Sequence, residues 1–265
     1  MSVFRKHMLV LAALLALGDG RAAPLLLNIH LTAQDRQFLI ANRQKIAIVL
    51  PSPASDENAS VSVALVLQPI ANVTQVAFET SPVLYLAYAP IGSFDTIRMA
   101  MQAQVAYGQA YSFDGVGING EGAGVDGYVA LYYAAPDAPG PPVVAGLAGY
   151  VYDVATGKPA QPAPLNHFTL NRYETRLIPR SAPLAWVFVS TDVGVGSVLP
   201  VLALKPVAPS APAQRGGSAL PGRQTPALQL GRYLPVRLDA SEQTTIHFDI
   251  NGNAFGYADS SPTSP

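Results

Sequence analysis

The residues KIAIVL at 45–50, followed by VSVALVLQP at 61–69, VTQVAFET at 73–80 and VLYLAYAP at 83–90, decide the fold. Successive side chains on a strand point to opposite faces, and β-branched and aromatic residues fit the pleated surface best. Each run is short, rich in Val, Ile and Tyr, and closed by Pro, Asn, Ser or Gly, which predicts strands at short, regular spacing. Pro51, Pro53, Pro69, Pro82 and Pro90 stand at the ends of the runs, where a residue without an amide hydrogen costs no ladder bond.

Downstream the pattern continues through 97–105 and 109–113, a glycine-rich loop, and 127–133. After a Pro-rich connection at 135–142 come VVAGLAGYVYDV, FTLNRYETRLI, LAWVFVST and SVLPVLAL, which read as further strands and bring the number before residue 205 to at least ten. That is enough for two packed sheets. Residues 206–231 lose periodicity and fill with Pro, Ala, Gly and Ser, which reads as a long excursion or linker. Strand pattern returns in YLPVRLDA, and the pair Asn251 and Gly252 predicts a C-terminal β-hairpin over 244–257 with a type I′ turn. A lone hairpin is marginal in water, so it must join the main sheets across the excursion.

Upstream, Thr32 with Asp35 three positions on has the form of a capping box, and predicts a short helix running to about Gln44. Before it, Arg5 and Lys6 precede an apolar run of ten residues from Met8 to Leu17, with Gly20 and Ala22 after it. This is the order of a secretory signal peptide over 1–22, cleaved before Ala23. A run of that length falls short of the roughly 20 residues a membrane-spanning helix needs, and no later segment is long and unbroken enough. The expected fold is therefore all-β: a two-layer antiparallel β-sandwich with one short N-terminal helix, forming a single domain over 23–265, secreted or periplasmic.

Hydrophobic residues make up 49% of the chain and charged residues 12%, which excludes global disorder. There is no cysteine, so the core and the sheet hydrogen bonds must stabilise the fold without disulfides. The same absence rules out thiolate catalysis and cysteine-based metal sites. Removing Arg5, Lys6, Arg21 and Asp19 with the leader leaves a net charge of −3. Nine carboxylates face Arg98 alone over residues 46–157, while eight basic residues face Glu174 and Asp192 over 172–237. Such a division implies internal neutralisation or two differently charged faces. Scattered basic residues in an exported chain argue against nucleic acid as a partner.

Function is less legible. No HExxH, GxSxG, Walker A or post-strand GxGxxG motif occurs, and His30, His167 and His247 are isolated in sequence. A hydrolase would need His167 or His247 to meet a Ser, Asp or Glu in space. The densest cluster of chemistry is the glycine-rich stretch around 105–133, in which two expected strands at 105–113 and 128–133 flank a loop carrying Asp114, Glu121 and Asp126. Those carboxylates form a cation or acid–base site if the loop folds back on itself, and a solvated turn if it does not. Tyr107 and Tyr111 share one strand face by even spacing, as do Tyr128 and Tyr132, and such pairs either line a ligand platform or pack as half-buried core. Asp249, Asn251 and Asn253 imitate a calcium loop, but Ala254 stands where its glycine belongs, so the hairpin accounts for them better.

A short helix followed by NRQKIAIVL at 42–50 and then a tyrosine-rich sandwich without cysteine resembles the actinoporin and fungal fruit-body lectin group. The resemblance implies an N-terminal helix that detaches and inserts in a membrane, and aromatic side chains that hold a lipid headgroup or sugar. Trp186, the only tryptophan, lies within LAWVFV and reads as core. The leading expectation is a non-enzymatic protein, without cofactor or metal, that binds a glycan, a lipid headgroup or a protein through Tyr107, Tyr111, Asp114, Glu121, Asp126 and Tyr128. A membrane-active, actinoporin-like protein and a hydrolase with a spatially assembled site are the alternatives.

Overall fold

The computed structural model describes residues 24–52, 60–79, 81–88, 91–134, 141–207, 230–239 and 243–258. The expected signal peptide lies outside the described residues, as does most of the excursion at 206–231. The fold is all-β; the described residues include one short α-helix, and their strands form four hydrogen-bonded sheets.

Sheet I comprises β1 (Leu25–His30), β4 (Val73–Phe78), β11 (Val151–Asp153), β18 (Thr244–Asp249) and β19 (Ala254–Tyr257), in the order β11-β4-β1-β18-β19. Sheet II comprises β2 (Lys45–Val49), β3 (Ser60–Leu67), β15 (Leu184–Ser190), β16 (Val198–Pro200) and β17 (Leu234–Arg237), in the order β16-β3-β2-β15-β17. Sheet III holds β5 (Val83–Ala87), β6 (Met101–Gln104), β10 (Val143–Gly149), β12 (Ala163–Pro164) and β13 (Phe168–Leu170), with β10 and β5 at its centre. Sheet IV holds β7 (Gln109–Phe113), β8 (Ile118–Ala123), β9 (Tyr128–Tyr133) and β14 (Thr175–Pro179), in the order β14-β9-β7-β8.

Alternation explains how these sheets stack. On β2, Ile46 and Ile48 enter one core with Leu27, Ile29 and Val76 of sheet I, while Ala47 and Val49 enter another behind sheet II with Phe188 and Leu199. On β5, Leu84 and Leu86 pack against Phe113, Val129 and Ile178 of sheet IV, while Val83, Tyr85 and Ala87 face Val198 of β16. Sheet I therefore packs on sheet II, sheet III packs on sheet IV, and the back of sheet III meets the edge of sheet II. Strands buried on both faces must be apolar at every position, which is why KIAIV and VLYLA are nearly unbroken hydrophobic runs.

The helix α1 (Ala33–Ala41) closes its capping box as expected. The Asp35 amide donates to Thr32 Oγ1 at 3.1 Å and the Thr32 amide donates to Asp35 Oδ2 at 2.7 Å. It ends short of Gln44, because Arg43 takes a left-handed φ of 54° after the Asn42 cap.

Several expectations need correction. Residues 25–30 form β1, a strand not anticipated, which pairs in parallel with β18 and antiparallel with β4. The C-terminal hairpin is present, but Asp249 pairs with Ala254 across a four-residue connection, so the turn is not type I′. The left-handed residue is Asn253 rather than Gly252, and the Asp249 carboxylate accepts from the Asn251 and Gly252 amides at 3.0 and 3.2 Å. The glycine-rich loop itself contains β8, which forms a hairpin with β7. Because β8 carries the chain back to where β7 began, β9 then lies parallel to β7 on its other side.

Candidate functional site

The chain passes between the two sheet pairs more than once, among these passages from β4 to β5 and, through residues 180–183, from β14 to β15. Pro82 and Pro183 stiffen these crossings, which run over the junction without filling it. They leave a cleft of about 440 Å³ whose walls include Leu25, Leu50 and Phe78 from the first pair and Leu147 and Leu165 from the second. The size falls within the range of about 300–1,000 Å³ typical of small-molecule sites, which favour junctions of this kind.

The polar side chains of the lining are Glu79, Ser81, Tyr107, Arg180 and Ser181. Tyr107 is half-buried beside it, and the Arg180 guanidinium lies over the Tyr107 ring, 4.8 Å from its centroid. Burial pushes the Tyr107 hydroxyl above the usual phenol range, with Arg180 pulling the other way. Glu79 also lines the cleft, but Lys158 Nζ pairs with its carboxylate at 2.7 Å and the Tyr152 hydroxyl donates to it at 3.3 Å. Burial and the Glu79 charge both raise the Tyr152 pKa. Lys158 is held in turn over the Tyr150 ring, 3.7 Å from its centroid.

Behind the cleft a buried polar network joins the sheet pairs. The Tyr85 hydroxyl donates to the Asn166 carbonyl at 2.6 Å, and the Leu147 amide donates to Asn166 Oδ1 at 2.7 Å. Asn166 Nδ2 donates to Ser52 Oγ at 3.0 Å, reaching across to the end of β2. Gly146 is required here, since a Cβ would lie 2.2 Å from the Asn166 carbonyl oxygen. Next to it, buried His167 has Nε2 3.0 Å from Ser60 Oγ and Nδ1 3.1 Å from Ser62 Oγ, both on β3. His167 thus does meet serines, but Ser62 holds the ring nitrogen that a carboxylate orients in a serine hydrolase. His247 is exposed on sheet I, in register with His30 of β1.

The six residues expected to form one site are dispersed. Tyr107 and Tyr111 turn inward against the core between sheets III and IV, where the Tyr111 hydroxyl accepts from the Ala106 amide at 2.9 Å. Tyr128 and Tyr132 remain exposed on the opposite face of sheet IV. Asp114 sits in the β7–β8 turn, where its Oδ1 accepts from the Val116 and Gly117 amides, each at 2.8 Å. These amides hold its carboxyl below the usual range. Glu121 is the extra residue of a bulge between β7 and β8, and the Ser112 hydroxyl donates to it. Asp126 lies beside Gly108, at the far end of β7 from Asp114, and the intervening strand separates the two by about 20 Å. Among the described residues no three His, Asp or Glu groups gather where a metal ion could be held.

Of the expected residues only Tyr107 lines the cleft; Arg180 and Glu79 were not singled out, and only the clustering of basic residues after 172 pointed toward Arg180. A second depression, of about 520 Å³, lies over β3, β4 and β11, with Asp153 as its only charged lining residue. Asp153 Oδ1 is engaged there by the Ala155 amide at 2.9 Å. Among the described residues no helix is long and apolar enough to cross a membrane. Compared with known proteins, the chain matches no family model, no curated protein and no solved structure.

Proposed function

We propose that this is an exported, non-enzymatic binding protein that seats a small, largely apolar molecule in the cleft between its two sheet pairs. The observation that carries the reading is the mostly apolar cavity at the junction, ten of whose fifteen lining residues have apolar side chains. Of the partners the sequence suggests, a lipid-like amphiphile suits such a lining better than a glycan, whose hydroxyls would need many more hydrogen-bonding groups. The signal-like leader supports export. The serines on both nitrogens of His167 favour a structural role for that residue over catalysis. The length of α1, about 14 Å against a hydrocarbon core of about 30 Å, disfavours membrane insertion by that helix.

Nile red, an uncharged dye that brightens in apolar sites, tests the reading. Ala182 is exposed at the cleft, so Ala182→Trp should narrow the cleft without disturbing the core. The wild-type protein should bind the dye saturably, and the variant should bind it at least about tenfold more weakly. Equal binding by both proteins would place the dye elsewhere and end the cleft reading.

A further inference from the structure

We infer that the cleft selects a monoanionic amphiphile, with its carboxylate on Arg180 and its apolar tail between the sheet pairs. This rests on the cleft being the binding site and goes further, to the charge and chemical class of the occupant.

The argument turns on which charges at the cleft are already engaged. Glu79 is paired with Lys158 and accepts from Tyr152, so neither Glu79 nor Lys158 presents a free charge to a ligand. Arg180 is different. Its guanidinium carbon lies over the Tyr107 ring, its side chain is exposed, and no described residue places a carboxylate on it. Its backbone is fixed as well, because the Arg180 amide donates to the Gly127 carbonyl at 3.2 Å. A cation–π contact uses none of the guanidinium N–H donors, and their fork geometry matches the two oxygens of a carboxylate. Most of the surrounding wall is apolar, so a ligand charge opposite Arg180 would be only partly solvated and its pairing correspondingly strengthened. One unengaged positive charge matches one negative charge. A dianionic phosphate monoester would leave the second without compensation, and a cationic headgroup would face Arg180 while Glu79, the carboxylate of the lining, is already engaged.

Isothermal titration calorimetry with dodecanoate, dodecanol and dodecylamine, each below its aggregation threshold, tests this. Dodecanoate should bind about tenfold more tightly than dodecanol, the effect of one partly exposed charge-assisted contact. Arg180→Gln should bring the two ligands to equal affinity, and Arg180→Lys should restore part of the preference. If dodecanol matches dodecanoate in the wild type, if the preference survives Arg180→Gln, or if dodecylamine binds best, the anion assignment falls and the cleft reading stands. If none of the three binds and Nile red does not bind either, both fall together.

Discussion

Sheets I and II draw their strands from both ends of the chain, whereas sheets III and IV are built from residues 83–179, with only β11 of that span crossing to sheet I. The first pair closes by long-range contacts, above all the parallel pairing that sets Leu27 beside Thr244 and His30 beside His247. The second lies within one continuous span and includes local pairings, such as the β7–β8 hairpin and β9 beside β7, beside longer ones such as Val83 with Ala148. Contacts of high sequence separation carry a larger loop-closure cost and form late. The cleft has Leu25 and Leu238 among its walls, so it is complete only when both ends of the chain are in place. The contrast extends to tolerance: the junction is closely filled around Asn166, while the glycines of β8 border open space.

The largest effect should come from adding a single methyl group at the junction. Gly146→Ala would drive a Cβ into the Asn166 carbonyl and the Tyr85 ring, and should destabilise the protein by about 3 kcal/mol. Gly120→Ala on β8 meets nothing within 4 Å and should shift stability by less than about 0.5 kcal/mol. Urea unfolding of both variants measures the difference; equal costs would show that the junction is not the tightly packed region described.

A smaller effect separates the same regions by pH. The Gly117 and Val116 amides hold the Asp114 carboxyl below its ordinary value. Its contribution is therefore fully present above the ordinary carboxyl range and lost as pH falls through the lowered value. The Tyr107 hydroxyl is raised by burial, so its contribution is complete below the ordinary phenol range and lost as pH rises through the raised value. Acid should loosen the β7–β8 turn first, and alkali the cleft. Amide protection factors at Val116 and Gly117 should drop severalfold as pH falls through the lowered Asp114 value while those at Leu147 hold. Loss at both places together would contradict the distinction.

Much of the fold was legible because strand signals are local. The runs at 45–50 and 83–90 declare themselves by β-branched content, and Thr32 with Asp35 announces the helix. Other features depend on partners far away in sequence. INGEGA at β8 has little strand propensity of its own and is extended because β7 lends it a hydrogen-bonding edge. VVAGLAGYVYDV reads as one strand, yet it divides between β10 of sheet III and β11 of sheet I, a break set by the packing of two sheet pairs. FTLNRYETRLI divides likewise, at a turn where Tyr173 takes a φ of 61°. The cleft was the least visible feature, since its walls run from Leu25 to Leu238 and no local spacing unites them. The glycine, carboxylate and tyrosine cluster stood out in composition, but a strand's alternation turned Tyr111 and Tyr128 to opposite faces.

The most direct test of the account is a nuclear magnetic resonance titration of the full chain with dodecanoate, following backbone amides and methyl groups. Perturbations should concentrate at Leu25, Leu50, Phe78, Leu147, Leu165 and Arg180, with Asp114 and Glu121 silent. Shifts gathered on the β7–β8 hairpin and the outer face of β9, with the cleft unchanged, would contradict it.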